Sequence, residues 1–195
     1  MNENDGPHRQ LARYVKDVGE MYVENIEAVV IYRQDRFGRG GDHTSFLDQN
    51  FTSVRLTAMH EDFTQQHQDV RVEDGVQYGD LEEFLDYDYI QKVAALNLAA
   101  LSSLALSPPP PQTVTIDTTT LDNFTTLRWL PPADMTQVAG FVVLYRASNE
   151  CCWNHKRFFF PSSPAVVPLS KDNYLFAVQS IDASLSHPSL PVPAT

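Results

Sequence analysis

Residues 39–51, RGGDHTSFLDQNF, bring two glycines, Asp42, His43, Thr44 and Ser45 together in one short stretch. Two chemistries suit such residues: a hydroxyl nucleophile activated by a base, or a water activated by a metal. A nucleophilic Ser45 would need an independent base and acid, and nothing at suitable spacing supplies them. For a metal, the candidates are Asp42, His43, His60, Glu61, Asp62, His67, Asp69, Glu73, Asp74, Glu82 and Glu83. A hydrolytic zinc typically takes three protein ligands and a water. Ligand types are plentiful, yet neither HExxH nor paired CxxC occurs. A histidine in such a setting is more often a hydrogen-bonded loop residue than a ligand, so residue types alone leave the site open.

The elements that must position these residues follow from apolar spacing. Leu11, Val15, Val18 and Tyr22 recur at helical intervals, and EAVVIYRQ (27–34) then reads as a buried β-strand. Gly38, Gly40 and Gly41 make a loop. TSFLDQN forms a helical turn or two with Thr44 as a candidate cap, and TSVRLTA (52–58) alternates like a strand. Helix, strand, loop, short helix, strand is an order that favours a parallel α/β sheet. After a polar stretch from His60 to Gly79, DLEEFLDYDYIQKVAALNLAALSSLAL predicts a long helix with Glu82 and Glu83 in its first turn, where acidic groups suit the helix dipole.

That helix runs into Pro108 to Pro111, a stiff extended linker, and the domain boundary is placed there: 1–106, linker 107–112, and 113–195. Beyond it, TVTID, TTLRW, GFVVLYRA, KRFFF, AVVPL and YLFAVQSID are short β-patterned runs separated by turn residues. Repeated strands without helices predict an all-β sandwich. Trp129 before Pro131 and Pro132, with Tyr145 and Tyr174 in later strands, resembles a fibronectin type III module, whose ordinary contribution is packing or spacing rather than chemistry.

Bulk properties narrow the function classes. The 195 residues are 43% hydrophobic, as in an ordinary globular protein, and 14 basic against 25 acidic residues give a net charge of -11. That balance opposes a general attraction to nucleic acid or to an anionic membrane. MNENDGPHRQ lacks the basic start and apolar core of a signal peptide, and no uninterrupted apolar run reaches the roughly 18 residues of a spanning helix. No nucleic-acid or membrane partner is expected. Cys151 and Cys152 are adjacent, a geometry in which bridging is strained, so the redox compartment stays open.

RQLARYV, RFGRGGDHTSFLDQNFTSVRLT, QQHQDVRVEDGVQYGDLEEF and NLAAL, in this order, resemble the C-terminal part of the zinc-dependent aminopeptidase-type metallopeptidases, peptidase family M twenty-eight, in a bacterial branch with an appended sandwich. The resemblance implies a partial three-layer α/β/α peptidase sheet followed by the sandwich. It also implies two adjacent zinc ions held by two histidines and three carboxylates, with a further glutamate as general base. Carried over residue by residue, His67 in QQHQDV matches the family's last metal-binding histidine, and Asp69 would orient it or its loop. The family's tyrosine before this histidine is Gln66 here, whose amide retains a hydrogen-bond donor. GGDHTSF matches a cleft-wall loop, with Asp42 and His43 beside the substrate rather than on zinc.

In the family, the remaining ligands and the base precede the segment that RQLARYV resembles, and this chain opens almost at that segment. Glu82-Glu83 follows His67 and cannot replace them in that order. The resemblance therefore implies a C-terminal metallopeptidase fragment with no complete catalytic set and little activity alone, acting on peptides only if an upstream half completes it. The alternatives are an accessory binding protein that works through the sandwich, one half of a split peptidase, or self-association through an exposed sheet edge. Periplasmic or extracellular location is implied by the resemblance and not by any leader in this chain.

Overall fold

The computed structural model describes residues 5–31, 37–153 and 157–195. Helix α1 (Pro7–Tyr22) opens with a proline in its first turn, where the missing N–H costs nothing, and forms where the apolar spacing predicts it. Helix α2 (Asp42–Asp48) follows, then a hairpin of β1 (Arg71–Glu73) and β2 (Val76–Tyr78), a single 3₁₀ turn (Glu82–Phe84) and helix α3 (Tyr87–Leu106). Glu82 and Glu83 thus lie in a separate turn, not in the first turn of α3. The helix starts later because Asp86 caps it, its carboxylate accepting the Tyr89 N–H at 2.9 Å. Similarly, Gly41 rather than Thr44 precedes α2.

After α3 come β3 (Gln112–Ile116), β4 (Thr125–Leu130), β5 (Gly140–Ala147), β6 (Arg157–Phe160), β7 (Ala165–Val167), β8 (Tyr174–Ile181) and β9 (Val192–Pro193). They form two antiparallel sheets, ordered β3-β4-β7 and β6-β5-β8-β9. Val114, Leu127, Trp129, Phe141, Val143, Val167, Phe176 and Val178 fill the space between them, with Trp129 and Phe141 ring centres 5.2 Å apart. This is the all-β sandwich read from the strand pattern. Every one of the six anticipated strands is present, and only the two-residue β9 was not foreseen.

Strand β5 is buried along nearly its whole length instead of on alternate residues. Its second face carries Val142 and Leu144, which pack with Trp153, Ala177 and Ile181 into a second apolar cluster. Helix α1 lies over that face. The Trp153 indole N–H donates to Gln10 at 3.1 Å, and the Tyr14 hydroxyl donates to the Pro188 carbonyl at 2.9 Å. Between them sits a charge cluster: the Asp5 carboxylate takes Arg146 at 2.7 Å and Arg13 at 3.5 Å, and both guanidinium side chains are 1% exposed. Arg13 also donates to the Cys151 carbonyl at 2.7 Å and Arg146 to the Glu150 carbonyl. The Trp153 ring lies 5.9 Å and 5.1 Å from the two guanidinium carbons, so cations and aromatic face stack.

On its other side α1 packs against α3. A Cβ on Gly19 would come within 2.6 Å of Leu96, so glycine is required for this close approach, and Tyr14 and Ser103 share a hydrogen bond at 2.8 Å. Burial pushes the Tyr14 hydroxyl above its ordinary pKa, keeping it a donor. Helix α3 has 20 residues, and an 18-residue window of it has a mean hydropathy of 1.3, long and apolar enough by length and composition alone to cross a membrane. Counting uninterrupted apolar runs missed this, because Asn97 and the serines divide the runs without making the helix polar.

The anticipated parallel sheet is not formed among the described residues. Residues 26–31 and 52–58 have no assigned secondary structure and enter no ladder, and residues 32–34 of the first anticipated strand lie outside the described residues. Side chains of α1 hold the first segment instead. Glu20 accepts the Ala28 N–H at 2.9 Å, Lys16 donates to the Ala28 carbonyl at 2.7 Å, and Arg9 donates to the Ile31 carbonyl. His8 meets the Ser53 backbone at 3.3 Å in the second. A parallel strand needs flanking strands to satisfy its backbone, and no such neighbours lie beside these two segments among the described residues.

Two expectations follow. Asp5→Asn leaves two buried guanidinium groups without their carboxylate and is expected to cost about 3–5 kcal/mol in urea unfolding. A loss inside measurement error would show that the cluster does not hold α1. The second concerns Asp182. Burial opposes its ionisation, but hydrogen bonds from Ser184, His187 and Ser186 outweigh burial and hold its pKa down at about 2, below the ordinary 3.8. A depressed carboxylate stabilises the fold above its unfolded pKa and loses that contribution as pH falls through the folded value. The stability difference between the native chain and Asp182→Asn should therefore shrink between about pH 4 and about pH 2. A difference constant across that range would contradict the assignment.

Candidate functional site

The residues singled out from the sequence lie on two loops joined by one arginine. The first loop turns at Gly38, whose φ is +67°, and ends at α2. Asp42 is exposed in the first turn of α2, where its charge complements the helix N-terminus. His43 is half-buried and its carbonyl accepts the Ser53 hydroxyl at 3.0 Å. Among the described residues no hydrogen bond joins Asp42 to His43.

The second loop, residues 61–67, is tied down at several points. The Asp62 carboxylate accepts the Thr64 hydroxyl at 2.7 Å and its N–H at 2.9 Å, and these two bonds hold its pKa below the usual carboxylate range. The Thr64 carbonyl accepts the Gly79 N–H at 2.9 Å, and the Asp80 carboxylate accepts the His67 N–H at 2.9 Å. Gly79 sits at φ +127°, and a Cβ there would lie 2.8 Å from Val70. His67 itself has φ +53°, a left-handed conformation that a non-glycine residue keeps only when its surroundings impose it. Its ring is exposed and forms no hydrogen bond among the described residues. Asp69, the anticipated orienting group, is also exposed, and the carboxylate that holds the His67 backbone belongs to Asp80.

Arg39 connects the two loops. It donates to Glu61 at 3.0 Å and to the Gln66 carbonyl oxygen at 2.5 Å, while its guanidinium carbon lies 5.5 Å from the Phe63 ring. The Gln66 amide nitrogen donates to Glu61 at 3.0 Å, and Thr57 donates to the other Glu61 oxygen at 2.5 Å. Both polar ends of Gln66 are therefore engaged within the loops. Sequence reasoning did not single out Arg39 or Asp80. A contact across 22 residues leaves no periodic trace, although the hairpin that brings Asp80 near is announced by Asp74-Gly75, both at positive φ, between VRVE and VQY.

A metal would need more. No group of three or more histidine, cysteine, aspartate or glutamate side chains is arranged to hold one among the described residues. The described residues thus do not by themselves fit a zinc centre. The Cys151 and Cys152 sulfur atoms lie 3.1 Å apart beside α1, whose Arg13 donates to the Cys151 carbonyl.

Proteins similar to this chain over most of its length carry the name probable zinc metalloprotease. The chain is 42% identical over 179 residues to a probable zinc metalloprotease of Pyrenophora tritici-repentis, 44% to one of Leptosphaeria maculans and 45% over 183 residues to one of Pyricularia oryzae. Each match takes in 92% of this chain but only 37%, 41% and 36% of the relative, so the chain spans well under half the length of these proteins. No family model matches the chain. Among solved structures, titin domains A168-A170 align with 46% of this chain and 31% of theirs at 18% identity and a TM-score of 0.36. A redesigned β-sandwich protein aligns with 44% of this chain and 85% of its own at 16% identity and a TM-score of 0.33. Likeness at that level adds nothing to the strand order already described.

Arg39→Ala should free the two loops from one another. Amide exchange of residues 61–66 is expected to rise about 10-fold or more, the scale of a lost hydrogen bond to a charged group, while β5 and β8 stay unchanged. Unaltered exchange in 61–66 would remove Arg39 from this role.

Proposed function

We infer that the chain is part of a zinc metallopeptidase of the aminopeptidase type and is not itself a complete catalyst. The observation that carries this reading is the 42–45% identity across 92% of the chain to proteins named probable zinc metalloprotease, each matched over little more than a third of its length. In this reading His67 is the one zinc ligand the chain contributes. Its backbone is fixed by Asp80 while its ring stays exposed, which suits a ligand waiting for the rest of its site. Asp42 and His43 form a wall of the substrate cleft, and the Arg39–Glu61–Gln66 bridge fixes that wall relative to His67.

The metal would activate the hydrolytic water in a completed site; this chain's residues position loops and one imidazole. Peptides are the substrate class, and residues 26–31 and 52–58 supply strands to a peptidase sheet whose other strands come from elsewhere. The sandwich is of the fibronectin type III kind, on the strength of its three-plus-four strand order and its Trp129, Tyr145 and Tyr174. A periplasmic or extracellular setting accords with the family resemblance.

Zinc analysis after dialysis tests this directly. The chain alone is expected to retain substoichiometric zinc and to leave aminoacyl chromogenic substrates intact. Assembled with the unmatched part of the Pyricularia oryzae relative, it should bind zinc and hydrolyse them, and His67→Ala should lower both. Stoichiometric zinc and hydrolysis by the chain alone would refute the incomplete-site reading, and an assembled complex indifferent to His67→Ala would remove the ligand role.

A further inference from the structure

Helix α3 has two apolar faces, and only one is covered. Leu96, Ala100 and Ser103 are buried toward α1, while Tyr87, Ile90, Ala94, Leu98, Leu101 and Ala105 are all exposed. The latter follow one another at intervals of three and four residues, so they share a single stripe opposite the buried one. Leu98 is 64% exposed and Leu101 67%, and no charge interrupts the stripe. A helix apolar on all sides is ordinarily buried on all sides.

The stripe belongs to a half-chain short of packing. Among the described residues before the prolines, the buried apolar side chains are only Tyr14, Val18, Leu96 and Ala100, whereas the sandwich has a full core between its sheets. Val29, Ile31 and Leu56 on the two unladdered segments are exposed as well. The matched relatives meanwhile extend far beyond the region this chain covers. An apolar surface this extensive, beside segments that enter no strand ladder among the described residues, calls for a folded protein partner rather than scattered solvent contacts.

We propose that the Tyr87–Ala105 stripe of α3 is the docking seam for the remaining portion of a metalloprotease polypeptide, the portion the relatives carry outside the matched region. This deepens the peptidase reading and rests on it. The partner packs an apolar helix or sheet face against Leu98 and Leu101, and the covered helix then becomes an internal element of the peptidase domain.

The test mixes the chain with the unmatched segment of the Pyricularia oryzae relative, produced as a separate polypeptide, and follows association by light scattering after gel filtration. A one-to-one complex is expected, weakened about 10-fold or more by the double variant Leu98→Asp/Leu101→Asp but not by Leu121→Asp on the sandwich surface. Both stripe positions are exposed in the chain alone, so its far-ultraviolet circular dichroism should be unchanged by the double variant. Should the separate segment fail to fold, cysteine labelling decides: Leu101→Cys in this chain should react rapidly, and a cysteine at the aligned position of the intact relative slowly. Equal labelling rates overturn the proposal, as does a complex untouched by the double variant. Dimerisation of the chain alone, or binding to phosphatidylcholine vesicles, that the double variant abolishes would overturn it in favour of a second copy or a lipid surface. None of these readouts needs zinc or hydrolysis, so a zinc-free, inactive complex would sink the peptidase reading and leave the seam standing.

Discussion

One carboxylate shared by two buried arginines holds the two halves of this protein together. Asp5, just before α1, meets Arg13 of that helix and Arg146 of strand β5, both hidden from water, with the Trp153 ring beside both cations. Buried charges are costly unless hydrogen-bonded, and here the Cys151 and Glu150 carbonyls take further guanidinium hydrogens, while the buried Arg146 Nε finds no hydrogen-bond partner among the described residues. Such a cluster specifies geometry more strongly than apolar contact does, because a shift of α1 along the sheet would strand the charges. The rest of the first half then hangs on α1. Its Tyr14 and Gly19 set α3, while Lys16 and Glu20 hold residues 26–31.

The sandwich was legible in the sequence because its strands obey local rules. TTLRW and YLFAVQSID are β-rich and bounded by turn residues, and the core they bury lies between their own two sheets. GFVVLYRA departs from strict alternation for a reason visible only in three dimensions: α1 covers its second face. Neither Asp5 nor Arg146 carries a sequence signal for this, since a contact 141 residues apart leaves no periodicity. The first half was legible in part. Helix α1 lies where periodicity put it and α3 follows from Tyr87 onward, but residues 27–31 and 52–58 have strand composition without strand pairing among the described residues, for pairing is supplied by neighbours and not by the segment itself.

The candidate site shows the same division. His67 and the Asp42-His43 loop were found by resemblance to a family, not by ligand spacing, and their mutual placement depends on Arg39, a residue with no motif around it. Gln66 illustrates how chemistry read from a residue type is redirected by context: its amide is occupied in bridging Arg39 and Glu61. The short, exposed connections that surround His67 are governed by local turn chemistry, Asp74-Gly75 above all, and that much could be read from the sequence directly.

Helix α1 folds as part of the sandwich, while residues 26–31 and 52–58 are held without a strand ladder among the described residues. Amide hydrogen exchange of the chain alone, resolved by peptide, measures this most directly. Helix α1 and strands β5 and β8 should open with the same free energy, and residues 26–31 and 52–58 should exchange far faster. Ladder-like protection of those two segments, or rapid exchange of α1 beside a protected sandwich, would contradict it.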